Sequence, residues 1–291
     1  LEALLEHAKN TTPFYRKLNS QKLLNSIEDF PIVTKMDYKE QFNAFQSEEY
    51  LDKPKHQMST SGSTGTPFTV NQDMNKRKRV LAEIIYFNKI CGQKLGDKYI
   101  YFRVWTDKNR KSRLEQLMQN LIPVDILHLD DASLERIRCL LKQDKSINSA
   151  LAYASTYEHL INYLIACGDT PDMFNINLFV TGSEVLDMQY KKRIKETIGC
   201  DIVDRYSNQE NGIIAQTPDM SDEFIVNTAS YYVELLKLDS DENADSGELG
   251  RIIVTDLYNF AMPMIRYDTG DLAIKCGKTS CGVNKFKSVQ G

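Results

Sequence analysis

Residues 60–67 read Thr-Ser-Gly-Ser-Thr-Gly-Thr-Pro, a run of hydroxyl residues and glycines closed by a proline. The two glycines permit positive φ, so successive backbone N–H groups can converge on one point. The flanking hydroxyls add further donors. Such a loop can cradle a polyphosphate. Composition by itself favours a flexible Ser/Gly-rich loop, so the decision rests on what lies downstream. It is not a Walker loop, because no Gly-Lys-Ser/Thr follows. Three more polar segments stand out: 181–184 (Thr-Gly-Ser-Glu), 204–210 (Asp-Arg-Tyr-Ser-Asn-Gln-Glu) and 266–271 (Arg-Tyr-Asp-Thr-Gly-Asp). Each has a plain alternative. A Tyr at a strand end is often a core-edge residue, and Thr-Gly-Asp is often only a turn.

The elements that must position these segments follow from periodicity. Residues 1–50 read as helical and polar, broken by Pro13 and Pro31, with Thr34 and Asp37 framing a capped short helix. A long amphipathic helix is expected over 73–91, ended by Gly92. Its basic run Lys76-Arg77-Lys78-Arg79 reads as a solvated helix face. From residue 98 onward short apolar runs alternate with i, i+3, i+4 spacing. Strands are expected over 99–104, 124–127, 150–153, 177–180 and 201–203. Helices are expected over 112–120, 132–143, 157–167 and 187–198. Successive strand–helix units imply an α/β fold with a mostly parallel sheet and helices on both faces. Ligands on such sheets sit beyond the carboxyl ends of the strands, and the segments at 181–184 and 205–210 fall there as polar loops. Residues 223–227, 231–238, 251–255 and 271–275 read as strands of an antiparallel β subdomain. The acidic run 239–247 reads as a solvated hairpin loop. The division expected along the chain is a helical segment over 1–50, an α/β nucleotide- and acyl-binding part over 51–216, and a β subdomain over 217–291.

Composition narrows the classes. The 291 residues are 42% hydrophobic and 26% charged, with a formal net charge of −4. That balance belongs to a globular protein and lacks the basic face that nucleic-acid binding needs. No apolar run approaches bilayer length, so no membrane association is expected. The six cysteines are mostly isolated in apolar stretches, which predicts reduced thiols and a cytoplasmic location. Cys276 and Cys281 form a close pair, but no second pair and no nearby His completes a zinc knuckle.

Taken in this order, the four polar segments resemble the adenylate-forming superfamily of acyl-CoA ligases, firefly luciferase and peptide-synthetase adenylation domains. The nearest branch is the phenylacetate–CoA ligase family with its capsular-polysaccharide-associated relatives. Leu4-Leu5-Glu6-His7-Ala8 followed by Pro13-Phe14-Tyr15-Arg16, and Phe30-Pro31-Ile32-Val33-Thr34-Lys35, are similar to that branch's N-terminal signatures. The resemblance implies that Thr60, Ser61, Gly62, Ser63, Thr64 and Gly65 wrap the β- and γ-phosphates of ATP. Thr66 stands where the family often has Lys. Gly182, Ser183 and Glu184 match the segment along the adenine and acyl sites, and Tyr206 matches the aromatic that stacks on adenine. Glu210 matches the carboxylate that holds Mg²⁺. Gln209 replaces a hydroxyl residue that reaches the α-phosphate, and Ser207 replaces a glycine. Asp271 matches the carboxylate that accepts both ribose hydroxyls, and Arg266 is a candidate for phosphate or for bracing Asp271. Segments 153–157 and Phe102, Arg103 and Trp105 lie where related ligases border the acyl group.

The implied reaction is ATP-dependent activation of an aryl or acyl carboxylic acid to an acyl-adenylate, with release of pyrophosphate. The acyl group then passes to CoA or to an amine acceptor such as an amino sugar. An ATP-binding module without ligase activity is the alternative of another class, motivated by Thr66, Ser207 and Gln209. The resemblance also implies a small C-terminal domain with a catalytic lysine beyond residue 291, and it allows a homodimer.

Overall fold

The computed structural model describes residues 1–60, 68–107, 109–182 and 186–290. The chain divides into two compact units. The first comprises residues 1–84, 207–215 and 225–291; the second comprises 85–206 and 216–224. A partition by element type at 50 and 216 runs along the chain, whereas packing joins residues 1–84 with 225–291.

In chain order the helices are α1 (Glu2–Thr11), α2 (Pro13–Gln21), α3 (Lys35–Glu40), α4 (Met74–Ile90), α5 (Arg113–Met118), α6 (Asp131–Gln143), α7 (Ala154–Ala166) and α8 (Met188–Ile198). The strands are β1 (Lys55–Thr60), β2 (Phe68–Asp73), β3 (Lys98–Arg103), β4 (Leu121–Asp125), β5 (Ile147–Ala152), β6 (Leu178–Gly182), β7 (Asp201–Asn208), β8 (Gly212–Gln216), β9 (Glu223–Val226), β10 (Tyr231–Leu236), β11 (Leu249–Asp256), β12 (Tyr267–Lys278) and β13 (Asn284–Gln290). No helix among the described residues is long and apolar enough to cross a membrane.

In the second unit, strands run in the order β4-β3-β5-β6-β7, all parallel. Alternation along these strands separates two faces. Ile100, Phe102, Ala150, Ala152, Phe179 and Ile202 form one core with Leu134 and Ile137 of α6, Leu160 and Leu164 of α7, and Ile194 of α8. Leu178, Val180 and Val203 point to the other face, where they pack with Cys91 just beyond the end of α4. Both faces are therefore covered, as the strand–helix alternation predicts. Helix starts follow local capping chemistry. Ser112 and Glu115 form a capping box at α5, Asp130 accepts from Ser133 N at α6, and Asp187 accepts from Gln189 N at α8. Helix α8 ends at Gly199, whose φ of +83° is readily adopted only without a side chain.

In the first unit, β10-β11-β12-β13 are antiparallel neighbours, followed in the sheet by β9 and β8. Helices α1 to α3 bury Leu4, Leu5, Ala8, Tyr15 and Tyr38 against Phe68, Val70, Met262, Met264 and Tyr267. Thr34 and Asp37 form the expected reciprocal cap. β1 and β2 make a separate antiparallel ribbon.

Four expectations are corrected. The polar stretch after residue 203 is not a loop at the outset, because β7 continues to Asn208. Residues 267–271 are not a turn before a strand, because β12 already begins at Tyr267. β1, β2, β8 and β13 are strands where none was expected. The basic run at 76–79 is not simply a solvated face. Lys76 is 0% exposed; its ammonium pairs with Asp256 at 2.7 Å and donates to the Tyr231 hydroxyl at 3.0 Å. Arg79 lies over the Tyr258 ring at 3.6 Å and donates to Ser230 at 2.8 Å.

Candidate functional site

Each unit carries its own share of the implicated residues. In the first unit, the ribbon flanks the phosphate-loop candidate, its last register pair being Thr60 with Phe68. Ser61, Gly62, Ser63, Thr64, Gly65 and Thr66 lie outside the described residues, and Thr60 is placed only by its backbone pairing. The returning strand β2 is anchored at several points. Phe68 is buried and stacks on Tyr267 with centroids 6.0 Å apart and planes 19° apart. Gln72 Nε2 donates to the Glu210 carbonyl at 2.8 Å. Asp73 Oδ1 accepts from Asn75 N and Lys76 N at 2.8 and 3.0 Å, which starts α4, while its Oδ2 accepts from Phe260 N at 2.9 Å.

Glu210 is 6% exposed, and its Oε1 accepts from the Tyr267 hydroxyl at 3.1 Å. Burial, and then the negative charge of Glu210, push the Tyr267 phenol well above its ordinary value. The phenol therefore stays protonated and remains a donor. A carboxylate offers about four lone-pair sites, so one phenolic hydrogen bond leaves capacity for a cation. Two nearby chain segments supply buried polar atoms without a partner among the described residues. They are Gln72 Oε1, and both amide atoms of Asn211, the residue after Glu210. A carboxylate with free lone pairs suits a hard divalent ion and its waters, so Glu210 fits Mg²⁺. Gln209 is exposed on the turn after β7. Asp271 lies in β12, partly exposed, with its backbone N–H held by Thr269 Oγ1 at 3.1 Å.

Arg266 goes elsewhere. It has a φ of +49° and is 6% exposed. Its Nε and Nη2 meet the two oxygens of Glu234 at 3.2 and 3.1 Å, and Nη1 donates to the Phe30 carbonyl at 3.1 Å. That buried fork clamps β10 to the N-terminal segment. Its contacts among the described residues are those of a brace within the core. Burial raises the Glu234 carboxyl, and Arg266 works against that rise.

In the second unit, Thr181 and Gly182 end β6, and a Cβ built on Gly182 would meet no atom within 4 Å. Ser183 and Glu184 lie outside the described residues. Gly182 pairs in register with Arg205. Asp204 is 1% exposed and binds Lys191 Nζ at 2.5 Å and the Thr181 hydroxyl at 2.6 Å. Lys191 also donates to the Ser221 carbonyl at 2.7 Å. This buried cluster fixes the ends of β6 and β7 relative to α8. Tyr206 follows in β7 and is 8% exposed. Arg205 is 9% exposed, its Nε on Gln216 Oε1 and its Nη2 on Asn88 Oδ1, both at 2.8 Å. Burial pushes its pKa down to about 10.

The acid-pocket candidates divide. Phe102 and Tyr157 belong to the core; Tyr157 stacks on Phe179 at 4.3 Å and donates to the Val180 carbonyl at 3.2 Å. Arg103 is half-buried and Trp105 donates to the Val124 carbonyl at 3.2 Å. Cys281 is exposed and Cys276 half-buried. Among the described residues no group of three His, Cys, Asp or Glu is placed to hold a metal ion.

Sequence reasoning missed Tyr267 and Gln72 as supports of Glu210. The signal for Tyr267 was available, since it sits inside the Arg-Tyr-Asp-Thr-Gly-Asp segment.

No family model matches the chain. In sequence it is 24% identical over 308 residues to the phenylacetate–coenzyme A ligase of Thermus thermophilus, a match that covers 96% of this chain and 66% of that protein. It is 23% identical over 305 residues to the phenylacetate–coenzyme A ligase of Pseudomonas putida, covering 99% of this chain and 67% of that protein. The chain thus spans about two thirds of the length of the curated relatives it matches. Its fold matches an open conformation of 2-hydroxyisobutyryl-CoA ligase, a structure in complex with 2-HIB-AMP and CoA. That match has a TM-score of 0.75 at 20% identity and covers 98% of this chain and 70% of that one. The fold is that of the large domain of adenylate-forming ligases.

Proposed function

We propose that this chain, which is similar to phenylacetate–coenzyme A ligases and has the fold of adenylate-forming ligases, carries out ATP-dependent activation of a carboxylic acid. The acid's carboxylate oxygen attacks the α-phosphorus of ATP. A mixed anhydride forms, and pyrophosphate leaves with the bonding electron pair. The acyl group then passes to the thiol of CoA as AMP departs.

The protein's part is positioning and charge stabilisation. The backbone of residues 60–65 would receive the outer phosphates. Tyr206 would face the adenine, with Gly182, Ser183 and Glu184 beside it, and Asp271 would accept the ribose hydroxyls. Gln209 would donate its amide to the α-phosphate. Mg²⁺, when bound at Glu210, would supply charge neutralisation on the phosphates. The observation that carries this reading is Glu210 itself. It is a buried carboxylate held by Tyr267, and its carbonyl is tied to Gln72 on the strand that leaves the phosphate segment.

The test is ATP–pyrophosphate exchange by the full-length protein across aryl, short aliphatic and hydroxylated acids. Acid-dependent exchange is expected; ATP binding without exchange for any acid would favour the binding-module reading. Product analysis with CoA and with amines then identifies the acceptor. Formation of the thioester is expected.

A further inference from the structure

Helix α5, in the second unit, turns an apolar side to solvent. Leu114, Leu117 and Met118 are 65%, 78% and 78% exposed. Spaced i, i+3 and i+4, they share one side of the helix. None of the three belongs to the cores of this unit. Leu95, on the turn before β3, is 84% exposed. Asn120, two residues beyond Met118, donates to the Gly96 carbonyl on that turn at 2.8 Å. The turn that carries Leu95 is thus tied to the end of α5. A lone apolar side chain on a surface needs no explanation, but a group of them marks a contact face.

The charge beside this face is one-sided. Residues 103–113 hold five basic residues (Arg103, Lys108, Arg110, Lys111 and Arg113) and one acid, Asp107. A net charge of −4 conceals this, because it averages that segment with acidic runs such as 239–247. Arg110 and Arg113 are exposed, and neither has an ion-pair partner among the described residues. Lys111 Nζ donates to Gln119 Oε1 at 2.8 Å, which lays its chain along α5. The local acids are turned inward on backbone. Glu115 accepts from Ser112 N at 2.8 Å in the capping box, and Asp97 accepts from Lys94 N at 2.7 Å. Protruding aliphatic chains rimmed by unpaired cations complement a surface that is anionic at the top and apolar beneath. A protein partner is usually met by aromatic anchors, and neither α5 nor the turn at 94–97 has one. Trp105 is held elsewhere, on the Val124 carbonyl. Pairing with a second copy along β4 is also blunted. β4 is an edge strand, and Asn120 and Ile126 bond to β3 through their backbones. By alternation Pro123 faces outward, where it offers no N–H.

We propose that α5 and the basic segment before it dock the protein peripherally on an anionic lipid surface. Leu114, Leu117 and Met118 enter the boundary between headgroups and acyl chains. Arg110, Lys111 and Arg113 stay at the level of the lipid phosphates, their aliphatic stems covered by the same layer. The protein lies on the surface and does not span it, since no helix among the described residues is long and apolar enough to cross a membrane.

The test is co-sedimentation of the full-length protein with vesicles of mixed phosphatidylglycerol and phosphatidylcholine, and with vesicles of phosphatidylcholine alone. Binding to the mixed vesicles only, weakening as salt is added, is expected. Arg110→Gln combined with Arg113→Gln should weaken partition about thirtyfold, the scale of two basic residues at an anionic surface. Leu117→Gln combined with Met118→Gln should weaken it at least about tenfold, through lost apolar insertion. All four side chains are exposed, so neither variant should shift the unfolding temperature. No binding to the mixed vesicles overturns the proposal. Binding that the Leu117→Gln, Met118→Gln variant keeps in full overturns it too, as adsorption by charge alone. Self-association that this variant loses, with no vesicle binding by the parent, assigns the face to a second copy and likewise overturns it. Vesicle binding is read without ATP or acid, so a failure of the ligase reading leaves this result standing.

Discussion

At the scale of single residues, chemistry was easier to read than its supports. The carboxylate at 210 stands in a recognisable segment, but its partner Tyr267 is 57 positions away and no local pattern links them. Tyr267→Phe keeps the ring stacked on Phe68 and removes only the hydroxyl. We expect the Mg²⁺ concentration needed for ATP binding to rise about tenfold, as for loss of an outer partner of a metal ligand, with little change in the unfolding temperature. An unchanged Mg²⁺ titration would remove Tyr267 from the account. The basic run at 76–79 illustrates the same limit. Charge density along the sequence points to solvent, yet Lys76 is fully buried because Asp256, distant in the chain, waits for it. Lys76→Met leaves Asp256 buried and unpaired. Stability to urea should fall by about 3–5 kcal/mol, and a loss under about 1 kcal/mol would show the pair to be dispensable. The direction taken by Arg266, toward Glu234 and the Phe30 carbonyl, was hidden for a related reason. A polar motif shows which groups are present and not which way a buried guanidinium turns.

At the scale of elements, the parallel part was legible because hydrophobic spacing switches cleanly between strand and helix periods. β1 was not. Its sequence Lys-His-Gln-Met-Ser-Thr has no apolar alternation, and it is a strand because β2 pairs with it along its whole length. The length of β7 was missed because apolar residues stop at Val203, while the strand continues through buried Asp204, Arg205 and Tyr206. Their burial is compensated by side chains from α4, α8 and β8 that no local window contains. Two element-level tests follow from packing. A Cβ on Gly250 would lie 2.7 Å from the Leu236 carbonyl oxygen, so Gly250→Ala should push β10 and β11 apart and lower the unfolding temperature. The second concerns helices α6 and α7. Asp169, just after α7, receives Arg138 at 2.6 and 2.8 Å and Lys142 at 2.5 Å, both from α6. Arg138, and to a lesser degree Lys142, hold its carboxyl below the ordinary value. A depressed folded-state pKa gives stability that is present above the unfolded value and lost as pH falls through the folded one. Asp169→Asn should therefore be less stable at pH 7, on the order of 2 kcal/mol. Its gap to the parent should close on acidification below about pH 4. A gap independent of pH would contradict the clasp.

At the scale of the whole molecule, the fold class was readable and the way packing partitions the chain was not. Residues 207–215 and 225–291 pack with residues 1–84, so the first unit is assembled from three separate stretches. Linear reading sees the order of elements and cannot see that closure. The proposed acid activation is likewise tested at this scale, on the full-length protein. The most direct measurement is ATP–pyrophosphate exchange by that protein with Mg²⁺, run across monocarboxylic and dicarboxylic acids, for the parent and for Glu210→Gln. The account predicts acid-dependent exchange in the parent and a loss of at least about a hundredfold in Glu210→Gln, the scale on which removing one charge-stabilising group acts. Exchange that is absent for every acid, or that survives Glu210→Gln undiminished, would contradict it.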